Sequence, residues 1–131
     1  MIRKKKIKRI HVIIQVVCLF AIMTIIIFLY YGYQNAKLIS HTSNMIQLKF
    51  QVKIYEDKHG KPGKNIESIT SKMPPGFTRH INTKNIIYPV ADDFLHNNEQ
   101  LLFYEKKATE YGLKKGRVFV YKDGRVSFEE E

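Results

Sequence analysis

Five histidines (His11, His41, His59, His80 and His96) and one cysteine (Cys18) are the side chains best suited to nucleophilic, acid–base or metal chemistry. They are scattered. Asp57 and His59 lie two apart in a turn and could in principle hold a cation, but two polar groups there are ordinary helix-end and loop polarity. Asp92-Asp93 is a carboxylate pair that could share a proton or bind a divalent ion. Neighbours in an extended segment point to opposite sides, and no nearby residue completes either site, so both are expected to be solvated loop acids. His80 beside Arg79 could meet an anion, and an exposed loop pair is the simpler expectation. There is no nucleophile motif, no glycine-rich phosphate loop and no metal-ligand spacing. The expectation is therefore no catalytic, cofactor-binding or metal-binding residue, no cofactor and no small-molecule substrate. Cys18 has no partner for an intramolecular disulfide and sits in an apolar run, where a thiol serves as a small apolar residue.

Charge points elsewhere. Of 22 Lys and Arg residues, Arg3, Lys4, Lys5, Lys6, Lys8 and Arg9 come before any acid, in a chain of net charge +10. A nucleic-acid partner would require a basic face on the folded part, whereas this cluster abuts a hydrophobic segment. Residues 1–9 are expected to be a cytoplasmic basic tail, with no nucleic-acid role.

Residues 10–31 contain no glycine, proline, Asp, Glu, Lys or Arg, and only His11, Gln15 and Thr24 are clearly polar. About 20 apolar residues span a bilayer as a helix, whose backbone bonds are satisfied internally. A cleaved secretory signal would have a shorter apolar core and small residues after it. Here Tyr30-Tyr31-Gly32-Tyr33 follows, in the manner of an interfacial aromatic belt. The six early cations, with Lys37 the next after the span, place the N-terminus in the cytoplasm by the positive-inside rule. The expected localisation is the inner or cytoplasmic membrane, single-pass, with the remainder periplasmic or extracellular.

These assignments require elements to position them. Tyr33 to His59 has no glycine or proline, and Leu38, Met45, Leu48, Val52 and Tyr55 recur at helical spacing, widened by Ile46 and Ile54, with Phe50 off the pattern. Residues 32–58 are expected to continue the membrane helix. Gly60, Pro62 and Gly63 end it. Residues 59–131 are expected to form a small β-rich head. Ile66 to Ile69 suggests a short amphipathic turn, Met73 to Gly76 a break, Asn85 to Pro89 a short strand ended by its proline, and Leu101 to Glu105 another strand. Lys106 to Gly116 is expected to be a loop.

Asp123-Gly124, between two alternating segments, is the clearest local signal: a hairpin over residues 117–128. A two-residue loop would pair Tyr121 with Val126 and Phe119 with Phe128. Phe119, Tyr121, Val126 and Phe128 would then share one apolar face, available to pack on the helix stripe. Glu129 to Glu131 is expected to be a frayed acidic end. The fold class is α+β: a long N-terminal helix on a small antiparallel sheet.

The segment from Ser43 through Tyr55-Glu56-Asp57-Lys58-His59-Gly60-Lys61-Pro62 resembles the helix end of type IV pilins and type II secretion pseudopilins. Tyr121-Lys122-Asp123-Gly124-Arg125-Val126-Ser127-Phe128 is similar to the terminal hairpin of pseudopilin-like proteins. Tyr88-Pro89-Val90-Ala91-Asp92-Asp93 and Leu102-Phe103-Tyr104-Glu105 also resemble intervening segments, so the resemblance covers most of residues 38–128. It implies a pilin-like fold and assembly with other pseudopilin-like subunits through the N-terminal helix. The processing motif departs from the family's. Ile10 stands in place of the glycine before the cut, His11 in place of phenylalanine, and Gln15 in place of the helix glutamate.

Two non-enzymatic functions follow as expectations. One is an accessory structural component of a secretion or pilus-like assembly, in which Gln15 could hydrogen-bond a partner helix. The other is a membrane-tethered extracytoplasmic binding module that forms no filament, using the lysine-bearing segments Lys72–Lys84 and Lys106–Lys115.

Overall fold

The structure is a computed structural model that describes residues 2–131. One helix, α1 (Ile2–His59), begins eight residues before the expected start, because nothing in the basic tail breaks a helix. The chain divides into two compact units, Met1–Gln34 and Asn35–Glu131. Each is taken separately.

In the first unit the side chains of residues 2–33 are exposed all round the helix. Among the described residues, α1 is the one helix long and apolar enough to cross a membrane.

The second unit contains the rest of α1, two short helices, α2 (Ile66–Thr70) and α3 (Pro75–Thr78), a 3-10 turn (Thr83–Asn85) and six strands. The strands are β1 (Ile86–Ile87), β2 (Leu95–His96), β3 (Glu99–Glu105), β4 (Thr109–Tyr111), β5 (Lys114–Tyr121) and β6 (Val126–Glu130). All pairings are antiparallel: β1 and β2 on β3, β3 and β4 on β5, and β5 on β6. The fold is α+β, with a helix packed on a small antiparallel sheet, as expected.

The helix stripe forms as its spacing predicts. His41, Met45, Leu48 and Val52 are buried, flanked by half-buried Leu38 and Tyr55. Ile54, expected to widen the stripe, is 58% exposed instead. The Gly60 N–H bonds the Glu56 carbonyl (2.7 Å) where α1 ends. Asn65 caps α2, its side chain accepting from the Ser68 N–H at 2.9 Å. Ile66 and Ile69 of α2 join the core.

The hairpin is present, but its register differs from the expected one. Val120 pairs with Val126, Phe119 with Ser127 and Val118 with Phe128. The Tyr121 N–H bonds the Arg125 carbonyl (2.9 Å) and the Gly124 N–H the Tyr121 carbonyl (3.0 Å), which encloses Lys122, Asp123 and Gly124. The loop thus has three residues, with Gly124 at φ +99 supplying the left-handed position such a turn needs. One extra loop residue slides the register by one and exchanges the faces. Val118, Val120, Val126 and Phe128 face the helix-side core, and Phe119 and Tyr121 belong to a second cluster with Leu101, Val90 and Tyr104.

Three further strand assignments change. The segment expected to be a loop, Lys106 to Gly116, contains β4 and the start of β5 around a two-residue turn, Gly112-Leu113, in which Gly112 takes φ +68. β2, unexpected, is turned into β3 by Asn97 and Asn98 at φ 52 and 61, the primed-turn geometry that asparagine accepts. The strand expected over Asn85 to Pro89 is only β1, ahead of a cis Tyr88-Pro89 bond. In β3 a register shift between Leu101 and Phe103 interrupts alternation. This lets the consecutive apolar run be wholly buried: Leu101 joins the outer cluster, and Leu102 and Phe103 the helix-side core.

Candidate functional site

The bulge puts Tyr104 outward and Glu105 inward, so a carboxylate lies beneath α1, 3% exposed. Both its oxygens are occupied. Oε1 accepts the Val118 N–H (2.8 Å) and the His41 Nε2–H (3.2 Å). Oε2 accepts the Tyr111 hydroxyl (2.7 Å) and the Asn85 amide (3.4 Å). An ionised carboxylate only accepts, so the His41 proton that points at it is on Nε2. The His41 ring also stacks on Tyr111 at 3.7 Å. Burial first, then the bond to Glu105 and its charge, push the Tyr111 hydroxyl far above the ordinary tyrosine range. This network joins α1, the 3-10 turn, β3, β4 and β5. A buried charge with four donors is stable where an unpaired one would not be.

The outer face of the sheet is aromatic. Phe94 stacks on Tyr104 (5.3 Å), Tyr104 on Phe119 (5.9 Å) and His96 on Phe119 (3.9 Å). Arg117 and Arg125 lie over Phe119 and Tyr121 at 5.0 and 4.8 Å. His96 pairs with Glu129 at 2.7 Å, so the acidic end expected to fray is instead paired to β5 and to β2. Arg125 also contacts Glu99 and Asp123.

An open cleft of about 800 Å³ is lined by Lys53, Glu56, Asp57, Lys61, Asp92 and Lys122, among others. Desolvation raises the Glu56 carboxyl above its ordinary range, against the opposing pull of Lys122. The Tyr88 hydroxyl, raised chiefly by burial, accepts the Gly63 N–H at 2.8 Å and donates to Glu56 at 3.5 Å. Asp92 meets Lys122 at 3.5 Å, whereas Asp93 does not line this cleft. His59 stacks on Tyr55 and bonds its carbonyl (2.9 Å). Arg79 and His80 are exposed. Of the titratable residues singled out from sequence, Asp57 and Asp92 thus line this one cleft, whereas Asp93 and His80 do not. Among the described residues no three His, Cys, Asp or Glu side chains converge as a metal site.

The second unit's part of α1 has a further feature. Helical residues are about 100° apart, so Ile39, Ile46, Phe50 and Ile54 fall on the side opposite His41, Met45, Leu48 and Val52. Ile39, Phe50 and Ile54 are 69%, 55% and 58% exposed, and Ile46 is half-buried. Phe50, off the pattern of the first stripe, belongs to this second one.

Sequence reasoning named His41 and His96 only as scattered histidines, and gave neither them nor Glu105 a role. His41 had a signal, since it lies four residues before Met45 on the core stripe. Glu105 and His96 had none, since Glu105 gathers donors from 6 to 64 residues away and His96 pairs with Glu129 33 residues on. No protein-family model, curated protein or solved structure matches the chain.

Proposed function

We propose that this chain is a non-enzymatic, single-pass membrane protein and a pseudopilin-like accessory component of a secretion or pilus-like assembly. Residues 10–31 cross the inner or cytoplasmic membrane, the basic tail stays in the cytoplasm, and residues 35–131 form the exported head. The cation bias before the span supports that orientation.

The observation that carries the assembly reading is the second stripe on α1. Single exposed apolar residues are common on protein surfaces and need no explanation. Ile39, Ile46, Phe50 and Ile54 are instead spaced seven, four and four residues apart on one side of a helix whose other side is already filled. That is the pattern of a helix offering a seam to another helix. Gln15 supplies a polar group for a partner helix within the bilayer.

The test is site-directed crosslinking in native membranes. With Cys18→Ser as background, single cysteines at Ile46 and Phe50 should crosslink to partner helices, and cysteines at exposed Lys84 or Lys107 should not. Purification of only monomeric chain, with no crosslink at either stripe position, would reject assembly.

The mixed-charge cleft beside the end of α1 favours a second reading, a tethered binding module. In that case Lys61→Glu and Lys122→Glu would abolish capture of one soluble extracytoplasmic partner, while Phe50→Ser would leave it intact.

A further inference from the structure

The six cations of the tail do not lie on one side of α1. At about 100° per residue, Arg3, Lys4, Lys5 and Lys6 take four directions around the axis, and Lys8 and Arg9 fall between them. All are exposed, and among the described residues no carboxylate forms an ion pair with any of them. They form a collar. A helix lying flat on a membrane needs an apolar side and a charged side, which this arrangement lacks.

The collar's height suits a helix that stands upright. Arg3 to Arg9 rises about 9 Å at 1.5 Å per residue. A headgroup layer is about 5–8 Å deep, taken as half the difference between a bilayer's full thickness and its hydrocarbon core. The 22 residues from Ile10 to Tyr31 rise about 33 Å, enough for a core of about 30 Å.

The collar also opposes its own helix. Arg3–Lys6, Lys4–Lys8, Lys5–Lys8, Lys5–Arg9 and Lys6–Arg9 are like-charge pairs three or four residues apart, a spacing that destabilises a helix in water. Cations in the first turns, with no acid among them, are unfavourable towards the helix dipole as well. The helix nevertheless runs from Ile2. A ring of anions would remove both penalties.

We propose that this collar binds the phosphates of anionic phospholipids in the cytoplasmic leaflet, gathering them in preference to zwitterionic lipids. The proposal rests on the membrane-spanning reading of α1. One such cation near an anionic surface corresponds to about a five-fold effect on partitioning, and the six together should give at least that.

The test uses the full chain in nanodiscs of mixed phosphatidylglycerol and phosphatidylcholine. Spin-labelled lipids report how much of each class is held at the protein surface. About five-fold or greater enrichment of phosphatidylglycerol is expected, weakening as salt rises. It should be lost when all six cations are changed to Gln and kept when the four lysines are changed to Arg. Inorganic phosphate at matched ionic strength should not displace the lipid. If it does, the collar is a site for free phosphate and the lipid proposal fails. Equal amounts of both lipids beside the wild-type chain, or undiminished enrichment in the Gln variant, would also overturn it. Protease protection of the same samples keeps the two readings apart. A protected span without lipid preference rejects only the collar, whereas an unprotected span rejects the membrane reading and the collar with it.

Discussion

Residues 10–31 and 35–59 belong to one helix and differ in how they distribute apolar side chains. In the first stretch every side is apolar and every side chain is exposed; Ile13, Leu19 and Ile25 are 61%, 60% and 57% exposed. In the second, apolar residues are confined to stripes, and Leu48 and Val52 are completely buried. A helix apolar all round requires an apolar surrounding, whereas a striped one requires a neighbour on one side. The β-sheet is that neighbour for the second stretch; on the membrane-spanning reading proposed above, lipid is the apolar surrounding of the first. Composition alone separates them, because lipid contacts a helix from all directions and a sheet from one.

The contrast can be broken most severely at the buried stripe. Leu48→Ala should cost about 2–5 kcal/mol, lowering the thermal transition of the full chain in detergent as followed by near-ultraviolet circular dichroism. Ala at Phe50, on the opposite side, should change the same transition by less than about 0.5 kcal/mol. Equal losses at both positions would show that the second stripe is already covered within the head.

Within the apolar stretch, Ile22→Asp should raise the cost of insertion by about 3 kcal/mol. Carbonate extraction should then recover much of the chain in the soluble fraction, with the head's thermal transition unchanged. A head destabilised by this substitution would contradict the separation into two units.

The head's dependence on one buried polar network is tested by Glu105→Gln. An amide cannot accept from all four donors, and its own N–H₂ faces other donors. The cost should be about 1–3 kcal/mol, and amide exchange should rise at Val118, which loses its charged acceptor. Unchanged exchange there would remove Glu105 as the pin between α1 and the sheet.

The smallest effect is expected at Glu56. Its carboxyl is raised by desolvation, so ionisation is harder in the folded than in the unfolded chain. Such a group destabilises the fold once pH rises through the unfolded and then the folded value, and is neutral below both. Glu56→Gln should therefore stabilise slightly at neutral pH, within about 0.5 kcal/mol, and make no difference at pH below the ordinary carboxylate range. A gain that persists in acid would assign the effect to the Tyr88 hydrogen bond instead.

Legibility in the sequence followed the range of the interactions. Leu38, Met45, Leu48, Val52 and Tyr55 could be placed because three- and four-residue spacings are local. The helix end depended on glycine and proline nearby, and the α2 turn on the spacing of Ile66 and Ile69. The hairpin's existence was local as well, but its faces were not. Those depended on whether Gly124 closed a two- or a three-residue loop. β2 and β4 were missed because they are two and three residues long, too short for alternation to register.

The sequence by itself therefore determined that this chain has an all-round apolar helix stretch behind a basic tail, then a striped helix and a terminal hairpin. Each of these follows from side-chain chemistry repeated at a backbone period. Only the tertiary structure decided that Val118 and Val120, rather than Phe119 and Tyr121, meet the helix. It alone placed Glu105 beneath His41, and put the neighbours Leu102 and Phe103 together in the helix-side core. These outcomes depend on a one-residue shift in a turn, an extra residue in β3 and contacts across tens of residues. No local period encodes them, because each is selected by what the completed sheet and helix must jointly bury.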